Sequence, residues 1–384
     1  KGWYEITAVD KAGNKTIKYI YVDWAVARIE DVYYRKLEYA INAVPTNNTK
    51  TTIVMLRNVS EVNTISNKKN ILLDIDQKTI TGSFTVNSGG ILEVEDGIVN
   101  NTSQTATIIN NGTLNITSGT IKNSGKGNII KITGGTTNLS GGSYLGNSTA
   151  EEFIKITGGT LNIKGASITS NYANVSTIRQ TGGTINISSG TISCTYKTTE
   201  ARAIQVSSDT AKFNMTGGTI SGYTSNMCAF EGKCTVNLTG GNIQNLSTDN
   251  EFASAMSVYW GAQVTINGAT IKKTVSGRTI YIDNGTVNFK KGTISSVAFT
   301  GNNCECIEIS DDTRTRTTVV ANFVMSGGTA TANGASPVIR VREGGSFVIS
   351  RRDGQKHWKW ICSIKRWRKY NNIRRKFSRW HKLI

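Results

Sequence analysis

The 384-residue chain has only 2 Pro and 2 His, and only 18% of its residues are charged. Both histidines, His357 and His381, lie near the C-terminal end. Residues 1–350 therefore contain no imidazole, which excludes from them a Ser-His-Asp triad and a histidine-bound metal centre. No apolar run approaches the roughly 20 residues that a membrane-spanning helix needs, and no long heptad pattern predicts a coiled coil.

The formal net charge of +18 is concentrated at the C-terminal end. Residues 351–384 contain thirteen Lys and Arg against a single acid, Asp353, together with four of the seven Trp. A basic run of this kind is usually a solvated or polyanion-binding tail. Residues 1–350 have only a small excess of positive charge, so we expect them to bind no nucleic acid.

The six cysteines show neither a CxxC pair nor the spacing of a zinc site. We expect isolated thiols packed in a core and no bound cofactor. A Cys228–Cys234 or a Cys304–Cys306 disulfide is the alternative. The remaining two cysteines are Cys194 and Cys362.

A glycine-bounded unit recurs along most of the chain and reads Gly-Thr-apolar-Asn-apolar, then a second glycine turn and Thr-Ile. Copies occupy residues 111–121, 134–144, 158–168, 182–192, 212–220, 233–243, 261–271, 284–294 and 321–330. One asparagine column fixes the period: Asn115, Asn138, Asn162, Asn186, Asn214, Asn237 and Asn288, with Thr265 in that place once. The steps correspond to coils of about 22 to 28 residues.

Strict alternation of apolar and polar residues inside each unit predicts a β-strand. Leu114 and Ile116 would face a core, whereas Asn115 would face outward. Several short strands per coil, without helices between them, predict an all-β fold, a parallel β-helix solenoid over residues 51–350. The outward Asn and Thr columns are expected to form hydrogen-bonded ladders along the axis. An ice-like or glycan-binding array is the alternative.

The sequence of residues 1–50 predicts two further elements, a hairpin and a short helix. Residues 1–23 form two strands around a Lys-Ala-Gly-Asn turn, with a pattern that resembles the closing hairpin of a bacterial immunoglobulin-like domain. The residues that carry this resemblance are Gly2, Tyr4, Ala8, Asp10, Ala12, Gly13 and Asn14. Residues 24–50 include a short helix with Leu37, Ala40, Ile41 and Val44 on one face. We expect this helix to cover the open end of the first coil.

The order hairpin, capping helix and Gly-Gly-Thr β-helix resembles adhesin-like surface proteins of Gram-positive bacteria, built on the pectate-lyase-like superfold. The resemblance implies secretion, a place on the cell surface or in the cell wall, and a role as stalk or adhesin. Host or cell-wall glycans, or surface proteins, are the implied partners. It also implies that the chain is a fragment, with its signal peptide and anchor outside it.

Residues 351–384 end the repeat abruptly and suggest a frameshift in the coding sequence. Trp has the single codon TGG, so reading one base later turns every Trp into Gly. The doublet Arg351-Arg352 likewise becomes Gly-Gly if both residues use AGG. We therefore expect the repeat to continue once the frame near codon 350 is restored, and we assign no function to this segment.

Acidic residues are dispersed along the repeat, so the sequence predicts no catalytic residues. A glycoside hydrolase needs two carboxyl groups a few ångströms apart. The only cluster in the sequence is Glu305, Glu308, Asp311 and Asp312, in the longest coil, and a solvated loop is the favoured interpretation. Glu308 and Asp312 are the alternative ligands for a cation.

One outward column predicts a ligand-binding surface. Lys131, Lys155, Arg179 and Gln205 occupy equivalent positions in successive coils, followed by Tyr259, Tyr281, Glu308 and Arg340. A basic stripe that runs into aromatic residues suits an acidic glycan, with Lys131, Lys155, Arg179, Tyr259 and Tyr281 as its ligands. Solubilising charges on an exposed strand are the alternative. We expect a non-catalytic stalk or adhesin; a carbohydrate-binding or a polysaccharide-degrading protein is the alternative function.

Overall fold

The computed structural model describes residues 2–22, 24–146, 152–171, 175–196, 201–224, 226–247, 253–274, 277–297, 305–310, 321–333, 337–342 and 344–350. These residues form a parallel β-solenoid of about 11 turns with a single helix among them. The predicted fold class is therefore confirmed. The basic segment 351–384, with its predicted frameshift, lies outside the described residues.

An N-terminal hairpin precedes the solenoid and consists of β1 (Gly2–Val9) and β2 (Lys15–Val22). The two strands pair antiparallel from Gly2 opposite Val22 to Val9 opposite Lys15. The Asp10 carboxylate closes the turn by accepting hydrogen bonds from the side chain of Asn14 (2.8 Å) and from two backbone N–H groups. The hydrogen bond from the Asn14 side chain is the largest influence that lowers the pKa of Asp10. The link to an immunoglobulin-like domain stays a prediction.

The first coil is capped by β3 (Ala27–Ile29), β4 (Val32–Tyr34) and the helix α1 (Leu37–Ala43). Strand β3 pairs antiparallel with β4 and with β5 (Lys50–Met55), which begins the solenoid. The predicted apolar face of α1 is buried, so the capping helix is confirmed. Its buried residues are Leu37, Ala40 and Ile41, and Val44 follows them into the core.

Charged side chains from the first coils hold both ends of α1. The Glu61 carboxylate accepts hydrogen bonds from the backbone N–H groups of Leu37 (3.1 Å) and Glu38 (3.0 Å). At the other end the buried Lys69 ammonium donates to the carbonyl oxygens of Ile41 (2.8 Å), Asn42 (3.1 Å) and Val44 (2.6 Å). Each charge matches the helix dipole and satisfies backbone groups that a helix leaves unpaired. Burial lowers the pKa of Lys69.

A coil contributes three strands in a fixed order, or two where one long strand replaces the first pair, and each strand pairs in parallel with its equivalent in the next coil. Two of the three strands build what we call the first and second ladders. The first ladder contains β5, β8 (Asn70–Asp74), β11 (Ile91–Glu95), β14 (Thr113–Ile116), β17 (Thr136–Leu139), β24 (Lys212–Met215), β27 (Thr235–Leu238), β34 (Asn322–Met325) and β37 (Ser346–Ile349). The second ladder contains β6 (Val59–Ser60), β9 (Thr79–Thr81), β12 (Ile98–Asn101), β15 (Thr120–Asn123), β18 (Ser143–Gly146), β25 (Thr219–Gly222), β28 (Asn242–Asn245) and β35 (Thr329–Ala332).

In four coils a single long strand runs through both ladders: β20 (Thr160–Ser170), β22 (Thr184–Cys194), β30 (Gln263–Lys273) and β32 (Thr286–Ser296). The remaining strands form the third sheet, one strand per coil. They are β7 (Asn63–Ile65), β10 (Phe84–Val86), β13 (Ile108–Asn110), β16 (Ile130–Ile132), β19 (Ile154–Ile156), β21 (Ile178–Gln180), β23 (Ile204–Ser207), β26 (Asn226–Glu231), β29 (Ser254–Tyr259), β31 (Arg278–Asp283), β33 (Ile307–Ser310) and β36 (Ile339–Val341).

Glycine is required at the turn between the third sheet and the first ladder. Gly135 has φ +56°, a left-handed conformation that side chains disfavour. A Cβ atom on Gly135 would lie 1.8 Å from the carbonyl oxygen of Gly112 in the preceding coil. The repeated Gly-Gly-Thr signal therefore reflects the close stacking of one turn on the next.

The core consists of the predicted inward columns. Leu114 and Ile116 are fully buried, and their equivalents stay buried as far as Phe323 and Met325, whereas in the last coil Phe347 is half-buried and Ile349 is exposed. Phenylalanine rings stack along the axis in the last coils, with centroids 6.2 Å apart for Phe289 and Phe323. The stacked columns form one continuous core along the axis.

The core also contains polar side chains at the corners, which the alternation did not predict. Asn101, Asn123 and Asn245 end strands of the second ladder and are buried. The Asn123 amide donates to the carbonyl oxygens of Thr105 (2.9 Å) and Asn128 (3.1 Å), while its oxygen accepts from the N–H of Gly125 (2.9 Å). These side chains satisfy backbone groups of the connections that leave the second ladder.

Four of the six cysteines lie in the described residues, and all four are buried free thiols: Cys194, Cys228, Cys234 and Cys306. The alternative Cys228–Cys234 disulfide is therefore wrong, and a Cys304–Cys306 disulfide is wrong because Cys306 is free. Cys304 and Cys362 themselves lie outside the described residues. Burial raises the pKa of Cys234 and of Cys306 to about 12.

Candidate functional site

The outer face of the third sheet carries the residues that the sequence singled out as ligands. Parallel pairing places Lys131 beside Lys155, Lys155 beside Arg179, and Arg179 beside Gln205. These four side chains are partly exposed and follow one another along the axis. A role for them in ligand binding stays a prediction.

The predicted stripe is divided into two groups. Ala229 and Ser257 occupy the next two positions of the column after Gln205, and both are fully buried. Tyr281 follows Ser257, so Arg179 and Tyr281 lie about 19 Å apart along the axis, at about 4.8 Å per coil. The column therefore offers two separate surfaces rather than one continuous groove.

Lys131, Lys155 and Arg179 form the basic group, whose charge Glu152 partly neutralises. The buried Glu152 carboxylate lies 3.0 Å from Nη1 of Arg179 and 3.7 Å from Nζ of Lys155. Lys131 forms no ion pair or side-chain hydrogen bond with the part of the chain that the structure describes. The surplus positive charge that could attract an acidic ligand is therefore smaller than the sequence suggests.

Gln205 belongs to a polar network rather than to an open surface. Its side-chain oxygen accepts a hydrogen bond from Ser176 (3.1 Å), and its amide donates to Glu231 (3.4 Å). The hydroxyl of Ser207 also donates to the Glu231 carboxylate. Glu231 is buried, so this network satisfies its carboxylate oxygens and separates the basic group from the rest of the column.

The acidic cluster of the longest coil is not a solvated loop, as far as the structure describes it. Glu305 and Glu308 are 0% and 1% exposed. Glu308 lies 2.6 Å from Nε of Arg278 and 2.6 Å from Nε of Arg342, one contact to each oxygen, and Glu305 pairs with Arg340. The solvated-loop interpretation is therefore wrong for these two residues. Burial is the largest influence on Glu305 and raises its pKa, against the opposing charge of Arg340.

The alternative cation site receives no support from this geometry. Asp311 and Asp312 lie outside the described residues, and both oxygens of Glu308 face arginines. No group of three or more His, Cys, Asp or Glu able to hold a metal ion occurs among the residues with described positions. A carboxylate flanked by two guanidinium groups has few positions left for a cation.

Tyr259, Trp260 and Tyr281 form what we call the aromatic cluster. The rings of Tyr259 and Tyr281 meet edge to face, with centroids 5.9 Å apart, and Trp260 lies 5.9 Å from Tyr259. The guanidinium of Arg278 stacks over Tyr281 at 4.6 Å, a favourable cation–π contact. Tyr259 belongs to the column beside the predicted one, because its neighbour in the next coil is Asp283. Burial raises the pKa of Tyr281 to about 12.

The sequence did not predict two residues of this surface, Arg278 and Trp260. Arg278 comes three residues before Tyr281, so alternation places it on the core side of the strand with Ile280 and gives no sign of its contact with the Tyr281 ring. Trp260 directly follows Tyr259 and precedes Gly261, so a Tyr-Trp-Gly corner was the available signal. Trp260 is nevertheless the most exposed ring of the cluster, at 49%.

The outer face of the first ladder carries a second regular surface, the asparagine column. Each amide donates to the asparagine of the preceding coil, at 2.8 to 3.0 Å. The members of this hydrogen-bonded series are Asn115, Asn138, Asn162, Asn186, Asn214 and Asn237. The predicted asparagine ladder is confirmed, whereas threonine hydroxyls such as those of Thr117 and Thr216 donate to backbone carbonyl oxygens instead. Because each step uses one donor and one acceptor along the axis, these amides have less capacity left for a ligand.

No protein-family model, curated protein or solved structure matches this chain. Within the described ranges, none of the helical residues forms a segment both long and apolar enough to cross a membrane. Because a β-solenoid supports many functions, function has to be inferred from the surface chemistry of this chain.

Proposed function

We propose that this chain is a non-catalytic extracellular module, a stiff solenoid that serves as a stalk or adhesin on a bacterial cell surface or in its wall. The observation that carries the proposal is the unbroken asparagine ladder, in which five side-chain hydrogen bonds join six successive coils. These bonds reinforce backbone pairing that already joins each coil to the next. Such a structure resists bending and separates its two ends, which is what a stalk requires.

The buried acids on the third sheet favour this proposal over a polysaccharide-degrading enzyme. Each of the four buried glutamates of the described residues contacts basic or hydroxyl side chains: Glu152, Glu231, Glu305 and Glu308. Glycoside hydrolysis needs one carboxyl group to give a proton and a second to face the sugar. Carboxylates already engaged in ion pairs or side-chain hydrogen bonds are poorly placed for either task.

A turnover assay and a localisation assay test the proposal together. Purified chain is incubated with pectin, alginate and host glycans, and unsaturated products and new reducing ends are measured. We expect no product that increases with protein concentration. Protease treatment of intact cells of the encoding bacterium should release solenoid peptides. Product formation, or peptides that are released only after cell lysis, would contradict the proposal.

A further inference from the structure

One backbone corner has the same left-handed conformation in three successive coils but carries very different residues. The register that pairs Phe230 with Val258 and Tyr259 with Asp283 aligns Gly232, Trp260 and Asn284 at this corner. Their φ angles are +77°, +53° and +57°. Glycine and asparagine are the residues that this region favours, whereas a large aromatic residue there is an outlier. The backbone therefore does not explain a tryptophan at the middle corner.

Packing does not explain Trp260 either. The residue is 49% exposed, and it is the only exposed large apolar residue within the described part of residues 201–347. The neighbouring corner accommodates Asn284 without an exposed ring. A strained residue that the fold does not need is a candidate for a functional role.

The surroundings of Trp260 supply the other elements of a small-ligand site. Tyr259 and Tyr281 lie beside it, and the backbone N–H of Trp260 donates to the carbonyl oxygen of Asp283 (3.2 Å), which fixes the corner. Arg342 lies on the same face but three coils beyond Tyr259 in the strand register, and its side chain is 44% exposed. Aromatic side chains with a few polar groups beside them are the usual lining of small-ligand sites.

We propose that the aromatic cluster, with Trp260 as its exposed platform, is a binding subsite for an uncharged polysaccharide. An aromatic ring has a negative face, which attracts the polarised C–H groups on the flat side of a pyranose ring. An uncharged sugar is favoured because Arg278 and Arg342 both pair with Glu308, and Arg340 pairs with Glu305. This departs from the acidic glycan that the sequence suggested.

A protein partner fits these observations less well than a sugar. A stable protein interface covers about 800 Å² on each partner and needs several exposed anchors. A single exposed ring in this stretch of the chain matches one sugar unit. The subsite goes beyond the stalk function, because a stiff solenoid needs no ligand.

Binding of neutral oligosaccharides to the full chain tests the subsite. Cellohexaose, mannohexaose, xylohexaose and maltohexaose are titrated by calorimetry, with hexagalacturonate as the acidic counterpart. We expect saturable binding of at least one neutral hexasaccharide and none of hexagalacturonate. Trp260→Asn should weaken that binding at least tenfold, while Trp24→Asn, which removes another partly exposed tryptophan (40%), should leave it unchanged.

A thermal-unfolding measurement distinguishes a ligand platform from a structural residue. Asparagine adopts the left-handed corner readily, so Trp260→Asn should unfold at the same temperature as the parent chain or at a higher one. A clear fall in the midpoint would show that the ring stabilises the fold and would overturn the proposal. So would the absence of binding to all four neutral hexasaccharides, binding that survives Trp260→Asn, or a preference for hexagalacturonate.

Discussion

At the scale of single residues, alternation divides each first-ladder strand between core and surface. Ile187 is buried in the core, whereas its neighbour Asn186 faces outward and joins the amide ladder. This division was predictable because side chains of a strand alternate strictly between its two faces. The exceptional residues were not predictable in this way. The strain at Trp260 and the ion pairs of Glu308 depend on neighbours in other coils.

The different roles of Ile187 and Asn186 lead to a quantitative prediction. Ile187→Ala leaves a cavity in a close-packed column and should lower the free energy of unfolding by about 3 kcal/mol. Asn186→Ala removes two amide hydrogen bonds, to Asn162 (2.8 Å) and from Asn214 (2.9 Å), and should cost about 1 to 2 kcal/mol. Urea unfolding measures both. Equal losses would contradict the assignment of the two side chains to opposite faces.

At the scale of elements, the sequence predicted the apolar face of α1 but not the side chains that hold its ends. Periodicity within residues 37–44 is local and therefore readable from the chain. Glu61 and Lys69, however, reach the helix from 23 and 28 residues away. Only the winding of the first coils brings them to α1. The corner asparagines were missed for the same reason, since their backbone partners lie in connections without a sequence pattern.

The contact between Lys69 and α1 predicts local unfolding of the cap. Lys69→Met keeps a long side chain but removes the donor to three carbonyl oxygens, and should destabilise α1 by about 2 kcal/mol. Hydrogen exchange within residues 37–44 should accelerate accordingly. Lys68→Met is the matched control, because Lys68 is exposed and its side chain forms no hydrogen bond or ion pair within the described residues. Equal exchange in the two variants would show that Lys69 does not hold the helix.

At the scale of the whole molecule, the period of the repeat was sufficient to predict the solenoid. Coils of different length still place their strands in the same register. The asparagine steps of 23, 24, 24, 28 and 23 residues all lead to the same pairing. The candidate site was less predictable. The alignment of the basic residues in one column could be predicted from that register. The division of the column at Ala229 and the burial of Glu305 could not, because they result from packing on the outer face, which periodicity does not describe.

Distances between spin labels along one outward column test the solenoid most directly. Parallel pairing aligns Thr113, Thr136, Thr160, Thr184, Lys212, Thr235 and Gln263. A cysteine at Thr113 is combined in turn with one at Lys212, Thr235 or Gln263, in a chain with Cys304 and Cys362 replaced by serine. The four buried thiols should not react with the label.

Pulsed electron paramagnetic resonance then measures the three label distances. The solenoid predicts values near 19, 24 and 29 Å, rising by about 4.8 Å for each added coil. Distances that fail to rise in this order, or that change by much more than one strand spacing per coil, would contradict the stacked parallel fold.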